Sequence, residues 1–272
     1  MLELPQNIPH TQIGESILIN ADCFDVFPHI KDQSVDAIIC DLPYGTTKCK
    51  WDSVLNLDIL WREYKRVLKE NGVVVLFAQT PFDKVLGCSN LDWLKYEWIW
   101  EKPQATGYFN AKIMPMKSHE NILVFYDKLP TFNPQKTQGH KPINSYTKRA
   151  DVANKTELYG KVKKDLSGGG ETDRFPRSVQ VFSSDKQKNK LNGTLHPTQK
   201  PLALLEMLVK SYTNEGDLVL DNTMGSGTTN LACSKLNRKS IGIEKEQKYY
   251  EIANKRIEDA LIQTNSKTKR LF

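Results

Sequence analysis

The sequence predicts an α/β protein whose sheet is mostly parallel. Short apolar runs of β type alternate with segments whose apolar residues recur at helical spacing, which is typical of strand–helix–strand units. The run at residues 73–78 also lacks polar alternation, as expected for a strand covered on both faces. A chain of 272 residues can form one large domain, or one domain with an insertion.

The strands of the first half are predicted at residues 16–20, 36–40, 73–77, 96–100 and 121–126. A helix is expected between the second and third of these strands, because apolar residues from Leu57 to Leu68 recur at helical spacing. Asn71-Gly72 would end that helix, with Gly72 as its left-handed cap.

The regular pattern fails between about residues 129 and 195, where Pro, Asn, Lys, Thr and Gly dominate and no strand or helix is predicted. Order returns at Pro201, which should begin a helix. A strand at 218–220, a glycine-rich loop, a helix at 229–236, a strand at 240–243 and a helix from Gln247 complete the chain. The sequence therefore divides into 1–128, a loop-rich insertion at 129–195, and 196–272.

The positive charge of the chain is concentrated in its centre. Residues 131–200 contain 14 Lys and Arg against 6 Asp and Glu, whereas the remainder contains 24 against 26. A basic stretch in an otherwise neutral chain indicates a polyanionic partner, although a solvated lysine-rich insertion would have the same composition.

Several classes of protein are disfavoured. The longest apolar run has only six residues, so no membrane-spanning helix is expected, and the N-terminus shows no secretory signal. The five cysteines form no Cys-x-x-Cys pair, which favours a reducing cytosol over disulfides or structural zinc. His119-Glu120 lacks a second His four residues on, so no metal site is predicted.

The glycine-rich loop Asp221-Asn-Thr-Met-Gly225-Ser226-Gly227 lies between a strand and a helix, where backbone can approach a ligand closely. A P-loop would need a Lys after Gly227, and a dinucleotide fingerprint would need a glycine at Asn230. A nucleoside without pyrophosphate, such as S-adenosyl-L-methionine, fits better, because the Asp221 carboxylate attracts an ammonium or sulfonium. Glu244, at the next strand tip, can accept both hydroxyls of a ribose.

The segment Asp41-Leu42-Pro43-Tyr44 follows the strand at 36–40 and suits a flat aromatic amine. The lone pair of such an amine is delocalised into its ring, and two acceptors on its two N–H groups localise that pair. The Asp41 carboxylate and the Leu42 carbonyl can be these acceptors, and Pro43 holds Leu42 extended. The Tyr44 ring offers a stacking surface for a base, although a solvated turn remains an alternative reading of the segment.

These residues resemble a known family, the DNA methyltransferases that transfer methyl from S-adenosyl-L-methionine to N6 of adenine or N4 of cytosine, in their permuted β class. Residues 41–44 match the family's catalytic Asp-Pro-Pro-Tyr, and 221–229 match its Asp-Pro-Phe-x-Gly-Ser-Gly-Thr-Thr. The segment His-Pro-Thr-Gln-Lys-Pro at 196–201 and Ala21-Asp22-Cys23 match two further elements. The resemblance covers nearly everything outside the insertion, and it implies a Rossmann-like, doubly wound methyltransferase fold without a metal.

The resemblance also implies roles for single residues. Asp41 and Tyr44, with Leu42 and Pro43, would hold a flipped base as the catalytic segment. Thr198 and Lys200 would meet the carboxylate of the cofactor, Glu244 its ribose and Asp22 its adenine. Its methionine side would contact Asp221, Gly225, Ser226, Gly227 and Thr228.

The same resemblance makes 1–128 and 196–272 two parts of one catalytic domain, and 129–195 a target-recognition region for double-stranded DNA. An Asp at the head of the tetrapeptide favours N6 of adenine. N4 of cytosine, RNA, a protein amide and a non-catalytic DNA-binding module remain alternatives. The expected location is the cytoplasm of a bacterium or a phage host, at the nucleoid and away from membranes, and a homodimer and a cognate restriction nuclease are left open.

Two departures from the family pattern stand out. Leu42 replaces the first Pro of the tetrapeptide, which leaves the carbonyl acceptor in place. Asn222-Thr223-Met224 replaces Pro-Phe-x, which removes an aromatic side chain near the expected cofactor.

Overall fold

The computed structural model describes residues 2–45, 53–148, 165–185 and 199–268. The chain forms two compact units. The larger consists of Met1–Asn133 with Ser178–Phe272, and the smaller of Pro134–Arg177, inside the predicted insertion. In the smaller unit, the short strands β7 (Tyr146–Lys148) and β8 (Leu166–Gly168) pair antiparallel.

The larger unit is a nine-stranded sheet flanked by helices. Its strands are β1 (His10–Ile13), β2 (Ser16–Ile19), β3 (Val35–Asp41), β4 (Leu68–Ala78), β5 (Leu94–Thr106), β6 (Lys117–Phe125), β9 (Val179–Val181), β10 (Leu218–Asp221) and β11 (Lys239–Ile243). Its α-helices are α1 (Cys23–Val26), α2 (Leu57–Val67), α3 (Phe82–Cys88), α4 (Leu202–Tyr212), α5 (Thr228–Lys235) and α6 (Gln247–Thr268).

The strand order is β1-β2-β11-β10-β3-β4-β6-β5-β9. Five neighbouring pairs in this sheet are parallel: β2–β11, β11–β10, β10–β3, β3–β4 and β5–β9. The other three pairs are antiparallel: β1–β2, β4–β6 and β5–β6. The predicted α/β class with a mostly parallel sheet is therefore confirmed.

Both faces of the central strands are buried, which explains their continuous apolar sequence. In β3, Ile38 and Cys40 pack into one apolar cluster, whereas Ala37 and Ile39 pack into the cluster on the other face. The first cluster contains side chains of α1, α2 and α3, and the second contains side chains of α4 and α5. The sheet is thus doubly wound.

The elements of the structure differ from the predicted ones at three points. Helix α2 ends at Val67, and Gly72 lies inside β4 without a positive φ, because Leu68 already pairs with Val35. Strand β1 was missed, because four residues at a sheet edge carry little pattern. The loop-rich region contains the three-residue strands β7, β8 and β9, which had not been predicted. Among the described residues, no helix has the length and apolar character needed to cross a membrane.

Gly242 in β11 is required by close packing beneath the glycine-rich loop. A Cβ there would lie 2.4 Å from Met224 Sδ and 2.7 Å from Asn230 Oδ1, and both side chains are buried. We expect Gly242→Ala to lower the free energy of unfolding by about 1–3 kcal/mol, because the added methyl overpacks the core. Urea denaturation measures the change.

Gly87→Ala is the matched control, because a Cβ at Gly87 in α3 would meet its nearest neighbour, Leu94 Cδ2, at an ordinary 3.5 Å. It should leave stability unchanged or raise it by about 0.4–1 kcal/mol, since alanine restricts the unfolded chain. Equal urea midpoints for the two variants would contradict the packing argument.

Candidate active site

Two strand tips meet at the carboxyl edge of the sheet. Strands β3 and β10 are parallel neighbours, and they end at Asp41 and Asp221. The Thr223 hydroxyl donates a hydrogen bond to the Asp41 carbonyl at 3.0 Å, which ties the loop after β10 to the end of β3. The segment expected to hold an amine and the loop expected to hold a cofactor therefore lie side by side.

Both loops line one pocket, which encloses about 1130 Å³ of empty space including open solvent at its mouth. Eleven of the predicted site residues line it: Asp22, Asp41, Leu42, Pro43, Tyr44, Lys200, Asp221, Gly225, Ser226, Thr228 and Glu244. Gly227 is not among the lining residues; a Cβ there would lie 2.8 Å from Ala253 Cβ of α6. Thr198 lies outside the described residues.

The glycine-rich loop is a tight turn whose backbone favours glycine at two places. Gly225 and Gly227 have φ values of +52° and +71°, in the left-handed region. Arg256 of α6 braces the loop, donating to Ser226 Oγ at 2.9 Å and to Thr228 Oγ1 at 3.1 Å. Arg256 was not predicted as a site residue, because it lies about 30 residues downstream on a helix with no motif of its own.

Glu244 is held in place by backbone. Its two carboxylate oxygens accept hydrogen bonds from the N–H groups of Gly225 at 2.9 Å and Glu246 at 2.8 Å. Burial raises the pKa of Glu244 above its ordinary value, although these two donors lower it in part. Each oxygen retains lone-pair capacity, so the carboxylate can also accept ligand hydroxyls.

Asp221 is almost fully buried beneath the pocket. Its Oδ1 accepts the backbone N–H of Thr223 at 3.2 Å. Burial raises the pKa of Asp221 to about 7, against the opposing effect of hydrogen bonds from Thr229 and Thr223. A cation in the pocket would favour the ionised form of this carboxyl. Asp22, on the pocket wall, caps α1 by accepting the N–H of Phe24 at 3.0 Å.

The Asp41 carboxylate belongs to a chain of charges. Tyr44 donates its hydroxyl to Oδ1 at 2.6 Å, and the Lys200 ammonium donates to Oδ2. Lys200 also pairs with Glu120 Oε2 at 3.4 Å, and Lys102 pairs with Glu120 Oε1 at 2.5 Å. The cluster therefore contains two carboxylates and two ammonium groups.

These charges set the pKa values in the cluster. Burial raises the pKa of Asp41, and the Lys200 ammonium opposes that rise. Burial alone would lower the pKa of Lys200, but the carboxylates of Asp41 and Glu120 raise it above its ordinary value. Lys200 is thus a buried cation bound to Asp41, in addition to any role at a cofactor. The part that Glu120 plays in this cluster was not predicted, because its partners Lys102 and Lys200 lie in other segments of the sequence.

Two further side chains shape the walls. The Tyr44 ring stacks on Phe82 of α3, with centroids 5.4 Å apart and planes inclined by 25°. Asn222, which replaces a family proline, accepts hydrogen bonds at Oδ1 from the Tyr64 hydroxyl at 2.6 Å and from Cys40 Sγ at 3.2 Å. Where the family has proline, this chain therefore has an asparagine whose side chain joins a buried hydrogen-bond network with Tyr64 and Cys40.

Comparison with known proteins identifies the family. The sequence model of the DNA methylases that act on N6 or N4 amines matches residues 35–255, which include both strand-tip motifs. The chain is 30% identical over 258 residues to the Type II methyltransferase M.HpaI of Haemophilus parainfluenzae, covering 89% of this chain and 74% of that protein. It is 32% identical over 249 residues to M1.MboII of Moraxella bovis, covering 86% and 93% respectively.

Solved structures agree with this assignment. The complex of M1.HpyAVI with SAM superposes with a TM-score of 0.60 at 26% identity, covering 88% of this chain and 98% of the other. The cytosine-N4-specific PvuII methyltransferase shares the fold, with a TM-score of 0.63 at 16% identity over 89% of this chain and 86% of the other. The chain therefore belongs to the N6-adenine/N4-cytosine family of DNA amino-methyltransferases.

Proposed function

We propose that this chain transfers the methyl group of S-adenosyl-L-methionine to the exocyclic N6 amine of adenine in double-stranded DNA. The observation that carries the proposal is the single pocket lined by the ends of β3 and β10. One wall offers acceptors for an amine, and the other offers buried acids and a glycine turn for a cationic nucleoside. The crystallised complex of M1.HpyAVI with SAM supports the cofactor.

The residues of the cofactor wall fit this cofactor chemically. Asp221 supplies a buried carboxylate for its cationic part, and Glu244, oriented by two backbone N–H groups, supplies acceptors for a ribose. The left-handed turn at Gly225 brings backbone close to the pocket. When bound, S-adenosyl-L-methionine supplies an electrophilic methyl group.

Asp41 and the Leu42 carbonyl orient the target amine. Each accepts one N–H, which localises the nitrogen lone pair and points it at the methyl donor. Since Lys200 now donates to Asp41 Oδ2, the incoming amine must share or displace that contact. We propose that the Lys200 ammonium is drawn toward the carboxylate of the cofactor, the role implied by the family resemblance, which leaves Asp41 Oδ2 to accept the amine while Tyr44 keeps its hydrogen bond to Oδ1. Thr198 keeps the same proposed role.

Adenine is preferred to cytosine because Asp41 occupies the head of the tetrapeptide, where the N4-cytosine members more often have Ser. The basic region at 129–195 is proposed to contact the target DNA, largely through phosphates, so binding should weaken steeply with salt. The expected bacterial or phage-host cytoplasm, nucleoid association, a homodimer and a cognate nuclease remain predictions.

Transfer of radiolabelled methyl to plasmid DNA tests the proposal. After digestion to nucleosides, the label is expected in N6-methyladenine, and methylation-sensitive sequencing would then reveal the target site. Label in N4-methylcytosine would show that the target base is cytosine and not adenine. Label in RNA or a peptide but not in DNA would overturn the proposed substrate, and no transfer to any of them would favour a non-catalytic module.

A further inference from the structure

A loop of exposed apolar side chains projects from the same edge of the sheet as the pocket. Strand β6 runs antiparallel to both β4 and β5, with Ala78 opposite Asn121 and Trp100 opposite Glu120. The carboxyl end of β5 therefore lies at the edge where β3 and β4 also end. Residues 107–116 connect β5 to β6 at that edge, and we call them the apolar loop.

The apolar loop exposes large side chains that a folded protein normally buries. Every residue from 103 to 119 is exposed. Phe109 is 101% exposed, Tyr108 and Ile113 are each 77% exposed, and Met114 and Met116 are 49% and 38% exposed. Single exposed apolar residues need no explanation, but five within nine positions mark a contact surface.

The loop has a defined shape. Gly107 turns the chain with a φ of +90°, and the N–H of Asn110 donates to its carbonyl at 2.9 Å. The N–H groups of Ile113 and Met114 both donate to the Asn110 carbonyl at 3.0 Å. At the base of the loop, Lys117 Nζ donates to Gln79 Oε1, just past the end of β4, at 3.1 Å. Phe109 is therefore presented at the tip of an organised turn.

The positive charge around the apolar loop indicates a negatively charged partner. Residues 102–117 include three lysines and no acidic residue. Lys102 belongs to the charge cluster of Asp41, and the apolar loop begins five residues after it along the chain. A basic, aromatic projection beside a base-binding pocket matches duplex DNA, with lysines for phosphates and a ring for the base stack.

We propose that the apolar loop inserts Phe109 into the base stack of the duplex, in the gap left when the target base enters the pocket. This inference rests on the proposed function. Removing a base from a duplex costs its stacking and pairing, and an apolar side chain that fills the gap stabilises the opened duplex. Phe109 is thus a positioning residue that acts on the DNA and does not touch the reacting atoms.

The test compares transfer rates on two duplexes that carry the sequenced target site, one fully paired and one with an abasic position opposite the target base. Phe109→Ala should lower the rate on the paired duplex by at least about tenfold. On the abasic duplex, where the target base is already unpaired, the loss should be less than about threefold. Phe109→Trp should restore the paired-duplex rate to within about threefold of the original, because an aromatic ring again fills the gap.

Leu91→Ala is the matched control, since Leu91 is 63% exposed and lies in the turn before β5, at the opposite edge of the sheet. It should leave both rates unchanged.

A wild-type rate for Phe109→Ala on paired DNA, or an equal loss on both duplexes, would overturn the proposed insertion of Phe109 while leaving the proposed function intact. Loss of binding to anionic phospholipid vesicles by Phe109→Ala, with transfer unchanged, would assign the loop to a membrane instead. Absence of transfer by the unmodified chain would overturn the proposed function itself.

Discussion

Replacing Asp41 by alanine is expected to lower methyl transfer to DNA by about 10²–10³-fold or more while leaving cofactor binding intact. The carboxylate is one of two acceptors that localise the lone pair of the target amine, and loss of one such preorganised group typically costs this much. Cofactor binding should persist, because Asp221, Glu244 and the glycine turn do not depend on Asp41 for their geometry. Radiolabel transfer and isothermal titration calorimetry measure the two quantities.

The variant should fold, since Lys200 keeps Glu120 as a partner when Asp41 is removed. Asp41→Asn, which preserves shape but loses the charge, should also be severely impaired. Asp25→Ala is the matched control, because Asp25 is an exposed acid on α1 that does not line the pocket. Full turnover by Asp41→Ala would refute the role assigned to this residue.

Cofactor affinity is expected to increase as the pH rises through about 7, and Asp221→Asn should remove this increase. Burial raises the pKa of Asp221 to about 7, so the carboxyl is largely protonated at pH 6 and largely ionised at pH 8. Only the ionised form attracts a cation, so affinity should change by up to about tenfold per pH unit below 7. At pH 8 the asparagine variant should bind about 10- to 100-fold more weakly, since a charged contact contributes about 1.5–3 kcal/mol.

Stability of the cofactor-free protein should show the opposite trend. An unfolded Asp ionises near its ordinary pKa of 3.8, whereas folded Asp221 resists ionisation up to about 7. Raising the pH across this window therefore favours the unfolded state at this residue, and Asp221→Asn should melt at a higher temperature than the unmodified protein at pH 8.

The unmodified protein and Asp221→Asn are titrated with the same cofactor over pH 6 to 8.5. Protonation of the cofactor affects both titrations equally, so the difference between their pH slopes reports on Asp221. Asp25→Asn should retain the pH dependence of the unmodified chain. Identical pH slopes for Asp221→Asn and the unmodified protein would show that another group binds the cation.

The central strands and their loops were predictable because both faces of β3 and β10 are buried. Such strands read as continuous apolar runs, and the acids Asp41 and Asp221 follow those runs directly. Parallel neighbours end at the same edge of the sheet, so both loops lie together once β3 and β10 pair, although their order in the sequence does not reveal that pairing. Strand β5 was predicted too short, because Pro103 interrupts its pattern where the register with β6 shifts.

The charges around Asp41 were not predictable. Lys200, Glu120 and Lys102 come from three separate segments, and their ion pairs join residues up to 159 positions apart. The same holds for Arg256 behind the glycine turn. No local pattern distinguishes Glu120, Lys102 or Arg256 from ordinary surface charges, because their role arises only when the fold brings them together. Lys200 was expected at the site through its family segment, but its ion pairs with Asp41 and Glu120 were not.

The proposed mechanism can be tested by a crystal structure of the protein with a duplex carrying its target site and a non-reactive analogue of S-adenosyl-L-methionine. We expect the flipped adenine to donate its amine to Asp41 and the Leu42 carbonyl, with the methyl position of the analogue about 3–3.5 Å from that nitrogen. A cofactor bound away from Gly225, or an adenine amine pointing away from Asp41, would contradict it.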